Sequence, residues 1–266
     1  MQSEKTYTLI TGATSGIGYE LAKLFGSMGH NLILVARTES DLITKKDELT
    51  ALGIEVITIS KDLFDPRSAA ELYQEVKNQR LEVDVLVNDA GQGQYGLFVE
   101  NDINRYQQLI QLNIVSLTTL THLFLKDMVA KNKGKILQLA SIASETPGPY
   151  QAVYHATKAY VLSLTEALIN EVKDTDVTIT ALQPGVTDTD FFNKAEMLNS
   201  KAVQDKSKMA DPAKVAKDGY DALMAGKDKV VSGWKNKIQT AVSNIIPDKA
   251  VADKVAKEQE PVSKGK

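Results

Sequence analysis

Tyr7-Thr8-Leu9-Ile10-Thr11-Gly12-Ala13-Thr14-Ser15-Gly16-Ile17-Gly18 is the stretch that decides the fold. Four β-prone residues run into a glycine-rich turn. Tyr19-Glu20-Leu21-Ala22-Lys23-Leu24-Phe25 then follows with apolar residues at helical spacing. A strand, a tight turn and a helix start, in that order, open a βαβ unit. Glycines at such a turn permit positive φ and let a pyrophosphate approach the main chain. The unbonded N–H groups at the helix start, with the helix dipole, favour phosphate charge. Gly12, Thr14, Ser15, Gly16, Ile17 and Gly18 are therefore candidate dinucleotide contacts. Their glycine spacing is G-x-x-x-G-x-G rather than G-x-G-x-x-G.

Outward from this turn, strand and helix alternate with little interruption. Residues 8–10, 31–35, 55–59, 83–87, 135–139, 177–182 and 229–231 predict seven strands. Helical patterns span 17–28, 39–52, 66–78, 105–131, 152–173 and 212–225. Apolar strand cores between amphipathic helices predict an α/β fold with a parallel sheet covered on both faces. Right-handed crossovers make it doubly wound, of Rossmann type, with ligands beyond the carboxyl ends of the strands. No repeat or linker divides the chain, so one dinucleotide-binding catalytic domain is expected over residues 1–246. Its substrate loop falls at about 189–210, either a mobile lid or a docked segment. Residues 247–266 are rich in Lys, Glu and Asp. They read as a polar, partly ordered tail with a short helix at 250–258, not as a separate domain.

Composition narrows the function. A formal charge of −3 over 266 residues offers no basic footprint for nucleic acid. Zero cysteines exclude disulfides, thiolate catalysis and cysteine-held metals. His30, His122 and His155 are scattered, so no metal site is expected. The start Met1-Gln2-Ser3-Glu4-Lys5 has no apolar leader core, and no apolar run approaches membrane-spanning length. The expectation is a soluble cytoplasmic protein with no membrane partner.

Tyr154-His155-Ala156-Thr157-Lys158 places a phenol and an ammonium on one helix face. Free tyrosine titrates near ~10 and lysine near ~10.4, so neither alone is a base at neutral pH. A fixed positive charge beside the phenol favours its ionised form. Alone, Tyr-x-x-x-Lys is an ordinary helix face. Its company gives it meaning. Asn88-Asp89-Ala90-Gly91 follows the strand at 83–87, and Asn113 lies in a predicted helix. Ser141 follows the strand at 135–139, thirteen residues before Tyr154. Pro184-Gly185-Val186-Thr187-Asp188-Thr189 follows the strand at 177–182. In this order, from residue 7 to 231, the chain resembles the short-chain dehydrogenase/reductase family, in its compact single-domain, NADP(H)-preferring branch.

The resemblance implies hydride transfer between a nicotinamide dinucleotide and a small-molecule carbonyl or secondary alcohol. Tyr154 would be the general acid/base, and Ser141 would hydrogen-bond the substrate oxygen. Ser144 is the rival for that role. Lys158 would lower the tyrosine pKa and bind ribose hydroxyls. Asn113 would hold a water beside Lys158, unless it is only a polar residue satisfied within the helix packing. Asp62, with Leu63 beside it, would meet the adenine amino group, although Asp there also caps a turn. Asn88 would brace neighbouring strands, and Ala90 and Gly91 would let the main chain pass close to the ribose. Pro184, Gly185, Thr187 and Thr189 would lie on the nicotinamide side. Asp89 departs from the Asn more often found at its position; it keeps acceptors and loses the amide donors.

Cofactor choice turns on the end of the second strand. Where an NAD site places a carboxylate, this chain has Ala36 followed by Arg37. A guanidinium can bind a 2′-phosphate by charge-assisted hydrogen bonds. The competing reading is a solvated surface arginine. NADP(H) is favoured, with NAD(H) as the alternative. Gln94, Tyr95, Tyr150 and Met197 are candidate pocket residues, while His155 lies about 100° around the helix from Tyr154 and is expected to be structural. Leu117, Leu120, His122, Leu123 and Leu125, with Val161, Leu164, Leu168 and Ile169, exceed one sheet-facing stripe. A homodimer or homotetramer would bury them, unless all face the sheet. The alternative function is a nucleotide-sensing protein on the same fold, without turnover.

Overall fold

Each apolar run must bury both of its faces, and a parallel sheet between two helical layers is the arrangement that allows it. The computed structural model describes residues 5–243 and 247–262. Its strands are β1 (Thr6–Thr11), β2 (Asn31–Ala36), β3 (Val56–Ser60), β4 (Glu82–Asn88), β5 (Gly134–Leu139), β6 (Val177–Gln183) and β7 (Lys229–Val231). They form one parallel sheet in the order β3-β2-β1-β4-β5-β6-β7. All seven expected strands are present, and their ends differ by at most two residues.

Helices α1 (Gly16–Ser27), α2 (Glu39–Thr50), α3 (Ser68–Asn78), α4 (Ile103–Ile110), α5 (Leu117–Ala130) and α6 (Ala152–Glu171) cover the sheet with α8 (Pro212–Met224). A short α7 (Phe191–Lys194) precedes α8, and α9 (Trp234–Ser243) and α10 (Asp248–Gln259) follow β7. Alternation along the strands divides the core in two. Leu9, Ile33 and Ile136 face Leu72, Leu120 and Phe124 on the α3 and α5 side. Their neighbours Ile10, Leu34 and Leu137 face Leu21, Phe25, Val215 and Leu223 on the α1 and α8 side.

The helix expected at 105–131 is interrupted. Gln111–Ser116 forms a π turn between α4 and α5, and Leu112, Asn113 and Ser116 are all buried there. Ser116 donates to the Leu63 carbonyl at 2.7 Å. A wider turn brings extra side chains inward at one level, which an apolar period of 3.6 does not announce. By length and composition, Ile103–Ala130 is also long and apolar enough to cross a membrane. The expectation of no such run overlooked it because polar residues interrupt the apolar ones. In the fold Leu109, Leu112, Leu117, Leu120, Phe124 and Met128 are buried within the chain.

That packing also corrects the surplus of apolar surface. Leu117, Leu120, Leu125 and Val161 belong to the chain's own core. The large apolar residues exposed on these helices are instead Ile103, Ile110, Val115, Val129 and Tyr160. The polar stretch after Pro247 carries a longer helix than expected, and it is docked. Val251, Val255 and Gln259 of α10 are buried. Tyr95 and Ser200 donate to the Gln259 carbonyl at 2.5 and 3.2 Å. Helix α9 was not expected at all.

Candidate active site

The loops that follow the strands open onto one cavity of about 830 Å³. It spans the crevice between β1 and β4, where the strand order reverses, the usual place for a ligand in such sheets. Gly12 and Gly16 hold φ values of 72° and 57°, which only glycine adopts freely. Ser15, extended at the N-cap of α1, makes no side-chain cap bond, and no acidic residue occupies the first helical turn. Apart from the Gly18 N–H, which Asp89 takes, the first N–H groups of α1 are thus left for an anion. Gly12, Thr14, Ser15, Gly16 and Ile17 line the cavity. Gly18 does not: it lies below the turn, where a Cβ would come within 2.6 Å of the Gly12 carbonyl oxygen. This close-packed cradle with open donors fits a dinucleotide pyrophosphate.

Asp89 lies beneath that cradle. Its carboxylate accepts from the Gly18 N–H. A Cβ on Gly12 would stand 2.9 Å from its Oδ2. Burial pushes the Asp89 carboxyl up to about 7 against the opposing pull of Lys158. The main-chain N–H groups of Asp89 and Ala90 both donate to Thr11 Oγ1 at 3.1 Å. Ala90 and Gly91 line the cavity, but Asn88 does not. Its amide donates to Thr121 Oγ1 and Gln138 Oε1 at 3.0 and 3.1 Å, so it braces β4 against β5 and α5 instead of facing a cofactor.

At the other rim, exposed Arg37 spreads over the Phe64 ring, 5.2 Å from its centroid. Asp62 accepts from the Phe64 N–H at 3.2 Å, capping the turn, and still faces the cavity beside buried Leu63.

Ser141, Tyr154 and Lys158 come together on the opposite wall. Ser141 caps a 3-10 turn at Ile142–Glu145: its Oγ accepts from the Ala143 N–H at 3.1 Å. Ser144 accepts the Ser141 N–H at 3.3 Å, which completes a capping box and occupies the rival serine in local structure. Helix α6 presents Tyr154 and Lys158 on one face. Burial holds the Tyr154 phenol up at about 12, with the Asp89 charge adding to the rise and the Ser141 hydroxyl opposing it. The expected lowering by Lys158 is not found. The ammonium is 5.8 Å from the ring centroid and donates to the Leu139 carbonyl at 2.6 Å. Burial lowers Lys158 itself to about 8, while Asp89 opposes that fall.

Asn113 stands behind this wall, outside the cavity. Its Oδ1 accepts from Gln92 N–H at 3.1 Å, and its amide donates to the Gln92 carbonyl and Thr157 Oγ1 at 2.9 and 3.0 Å. A Cβ on Gly91 would lie 3.4 Å from both Asn113 Oδ1 and Lys158 Nζ, so the two flank one small gap. Pro184, Gly185, Thr187 and Thr189 line the middle of the cavity. Thr187 bridges to Ala210 and donates to the Gly185 carbonyl at 2.9 Å.

The substrate end was only partly foreseen. Met197 faces the cavity, as do Phe191, Phe192, Gln151, His155, Val255 and Gln259. Phe191 lies 5.1 Å from the Tyr154 ring. Segment 189–210 is packed down through buried Ala195, Met197 and Val203. Tyr95 and Tyr150 stack at 5.7 Å behind the wall, and Gln94 donates to Glu196 at 2.8 Å; none of the three lines the cavity. The signals that existed were weak: paired phenylalanines after the last cofactor motif, and valines four apart in a charged tail.

A Rossmann sheet with a glycine cradle and a Ser–Tyr–Lys wall defines a class of dinucleotide-dependent oxidoreductases. The sequence model described as short chain dehydrogenase matches residues 6–198. A short chain dehydrogenase of Pseudocercospora fijiensis is 29% identical over 72% of this chain, which spans 63% of that relative's length. The uncharacterised oxidoreductase YvrD of Bacillus subtilis is 33% identical over 71% of the chain and 72% of its own. A solved short-chain dehydrogenase from Sphingobium yanoikuyae, in complex with NADPH, superposes with a TM-score of 0.79 at 25% identity. That alignment covers 94% of this chain and 99% of the other. The protein belongs to the short-chain dehydrogenase/reductase family, oxidoreductases of CH–OH and C=O groups that use a nicotinamide dinucleotide.

Proposed function

We propose that this protein is an NADP(H)-dependent reductase of ketones or aldehydes, able to run in reverse on secondary alcohols. One observation carries the reading: the Ser141–Tyr154–Lys158 wall and the glycine cradle share a single cavity that continues to Arg37. When bound, the dinucleotide supplies or accepts the hydride. Tyr154 donates its phenolic proton to the substrate oxygen during reduction and takes it back during oxidation. Ser141 donates a hydrogen bond to that oxygen and stabilises its developing charge. A phenol held up at about 12 carries, at neutral pH, the proton that reduction uses. Lys158 offers N–H donors to ribose hydroxyls. Asn113 keeps the Gly91–Gln92 main chain in place and holds a water in the gap it shares with Lys158.

The test is a panel of ketones, aldehydes and alcohols, followed by nicotinamide absorbance with both cofactors. Cofactor binding without turnover across that panel would replace the reductase by a nucleotide sensor. Within the panel, NADPH has the higher kcat/KM. Arg37→Ala weakens NADPH use far more than NADH use, by up to ~3 kcal/mol, the upper range for a hydrogen bond to a charged group. Equal losses with both cofactors would show that Arg37 does not read the 2′-phosphate.

The protein also pairs with a second copy through α4, the π turn, α5 and α6, where exposed Ile103, Ile110, Val115 and Tyr160 support this assembly. Light scattering should find a dimer or tetramer, and a monomer at micromolar concentration defeats the proposal.

A further inference from the structure

Two buried amide groups at the substrate end of the cavity lack hydrogen-bond partners. Gln151 Nε2 is a donor with no acceptor, and Gln259 Oε1 is an acceptor with no donor. Both residues line the cavity, at 5% and 8% exposure. Leaving such groups unpaired is costly, so something polar is expected to meet them.

The chemistry of His155 fixes which way the Gln259 amide points. His155 Nδ1 lies 2.8 Å from the Thr146 carbonyl oxygen, which can only accept, so Nδ1 carries the proton. Burial keeps the ring neutral by pushing its pKa down. His155 Nε2 is therefore a bare acceptor, and its neighbour at 3.4 Å must be the Gln259 NH₂. The carbonyl half of Gln259 is left without a partner.

The surroundings hold both groups in place. The Gln259 main chain is clamped by Tyr95 and Ser200, and Lys201 N–H donates to the Glu260 carbonyl at 3.0 Å. Gln151 stands at the N-cap of α6 without a side-chain cap bond, and its main-chain carbonyl accepts the His155 N–H at 3.0 Å. Tyr150 before it sits at φ 66°, a strained value for a tyrosine, stacked on Tyr95. Gln151 precedes His155 by one turn at the start of α6, and Gln259 of α10 lies 3.4 Å from His155 Nε2 and lines the same cavity. Around it lie Phe191, Met197 and Val255, which are apolar.

We infer that Gln151 and Gln259 form a subsite for a hydroxyl group on the substrate, remote from the reacting carbonyl and set in an otherwise apolar frame. A hydroxyl answers both amides: its oxygen accepts from Gln151 Nε2 and its hydrogen is donated to Gln259 Oε1. Water can take these bonds in the free protein. A ligand hydroxyl replaces that water without loss, whereas a C–H group leaves both amides unpaired. The preferred substrate class is then a hydroxy ketone of apolar skeleton. This rests on the reductase reading above.

The probe is decalone and its ring-hydroxylated derivatives, assayed with NADPH. At least one derivative should exceed decalone in kcat/KM by about tenfold or more, as expected when a site built for a hydroxyl meets an analogue lacking it. Gln151→Met and Gln259→Met should each bring that ratio down toward one. If one variant fails to fold, the other carries the comparison, since the residues sit on separate elements. A parent ratio near one for every derivative overturns the subsite, and so does a ratio unchanged in the variants. Turnover of decalone itself shows that the reductase reading stands in either case. If neither ketone is reduced, that reading fails. The subsite is then judged from dissociation constants of the same compounds on the NADPH-loaded protein, with the same ratio expected and the same results against it.

Discussion

Tyr154→Phe is expected to lower kcat for carbonyl reduction by about 10²–10⁴-fold, the range that a positioned general acid contributes. The ring that packs 5.1 Å from Phe191 remains, so the wall keeps its shape. What is lost is the transferable proton. Ser141 still offers its hydroxyl, but a hydrogen bond without proton transfer leaves alkoxide character on the substrate oxygen. NADPH affinity, followed by fluorescence titration, should change little. Near-normal turnover in this variant would remove Tyr154 from the mechanism.

Lys158→Met should damage stability, cofactor affinity and rate together. The ammonium is buried, donates to the Leu139 carbonyl and is the favourable charge facing Asp89. Its removal leaves the Asp89 carboxyl without that charge and drives its pKa further up. Asp89→Asn in the same chain should recover stability and part of the NADPH affinity, but not the rate, because the two residues are coupled and only Lys158 is proposed to meet the ribose. The pH dependence has a definite sign. With Asp89 at about 7 in the folded state, well above the ordinary carboxyl near ~4, the native protein holds a proton that the unfolded chain releases. Stability contributed by this group therefore falls as pH rises through that window. Thermal unfolding between pH 5 and 8 should show Asp89→Asn gaining on the parent as pH rises. Parallel profiles would mean that Asp89 is not titrating in a buried site.

The sheet was legible because parallel strands buried on both faces leave continuous apolar runs, such as Leu32-Ile33-Leu34-Val35, bounded by polar turns. The glycine cradle and the Ser141–Tyr154–Lys158 wall were legible because their spacing is tied to strand and helix ends. The π turn was not, since one extra residue in a turn leaves the apolar pattern almost unchanged. Asn88 was read as bracing neighbouring strands, and its amide donates to Gln138 on β5 and Thr121 on α5. Leu117, Leu120 and Leu125 looked surplus because sequence does not reveal that α5 is covered by both the sheet and α3. The role of α10 was hidden by composition: Val251 and Val255 are two buried residues in a helix otherwise rich in Lys, Asp and Glu. Long-range contacts such as Tyr95 to Gln259 have no local signature at all.

One wall of the cavity is thus a helix held by two valines and, at its end, by clamps on the Gln259 and Glu260 carbonyls. Docking of α10 and occupancy of the cavity are consequently linked equilibria. A ligand that touches Val255 and Gln259 binds only the docked arrangement, so its measured affinity includes the free energy of docking. Changes to α10 that never approach Tyr154 will register as weaker substrate binding with the chemical step intact, and saturating ligand will slow amide exchange along 248–259.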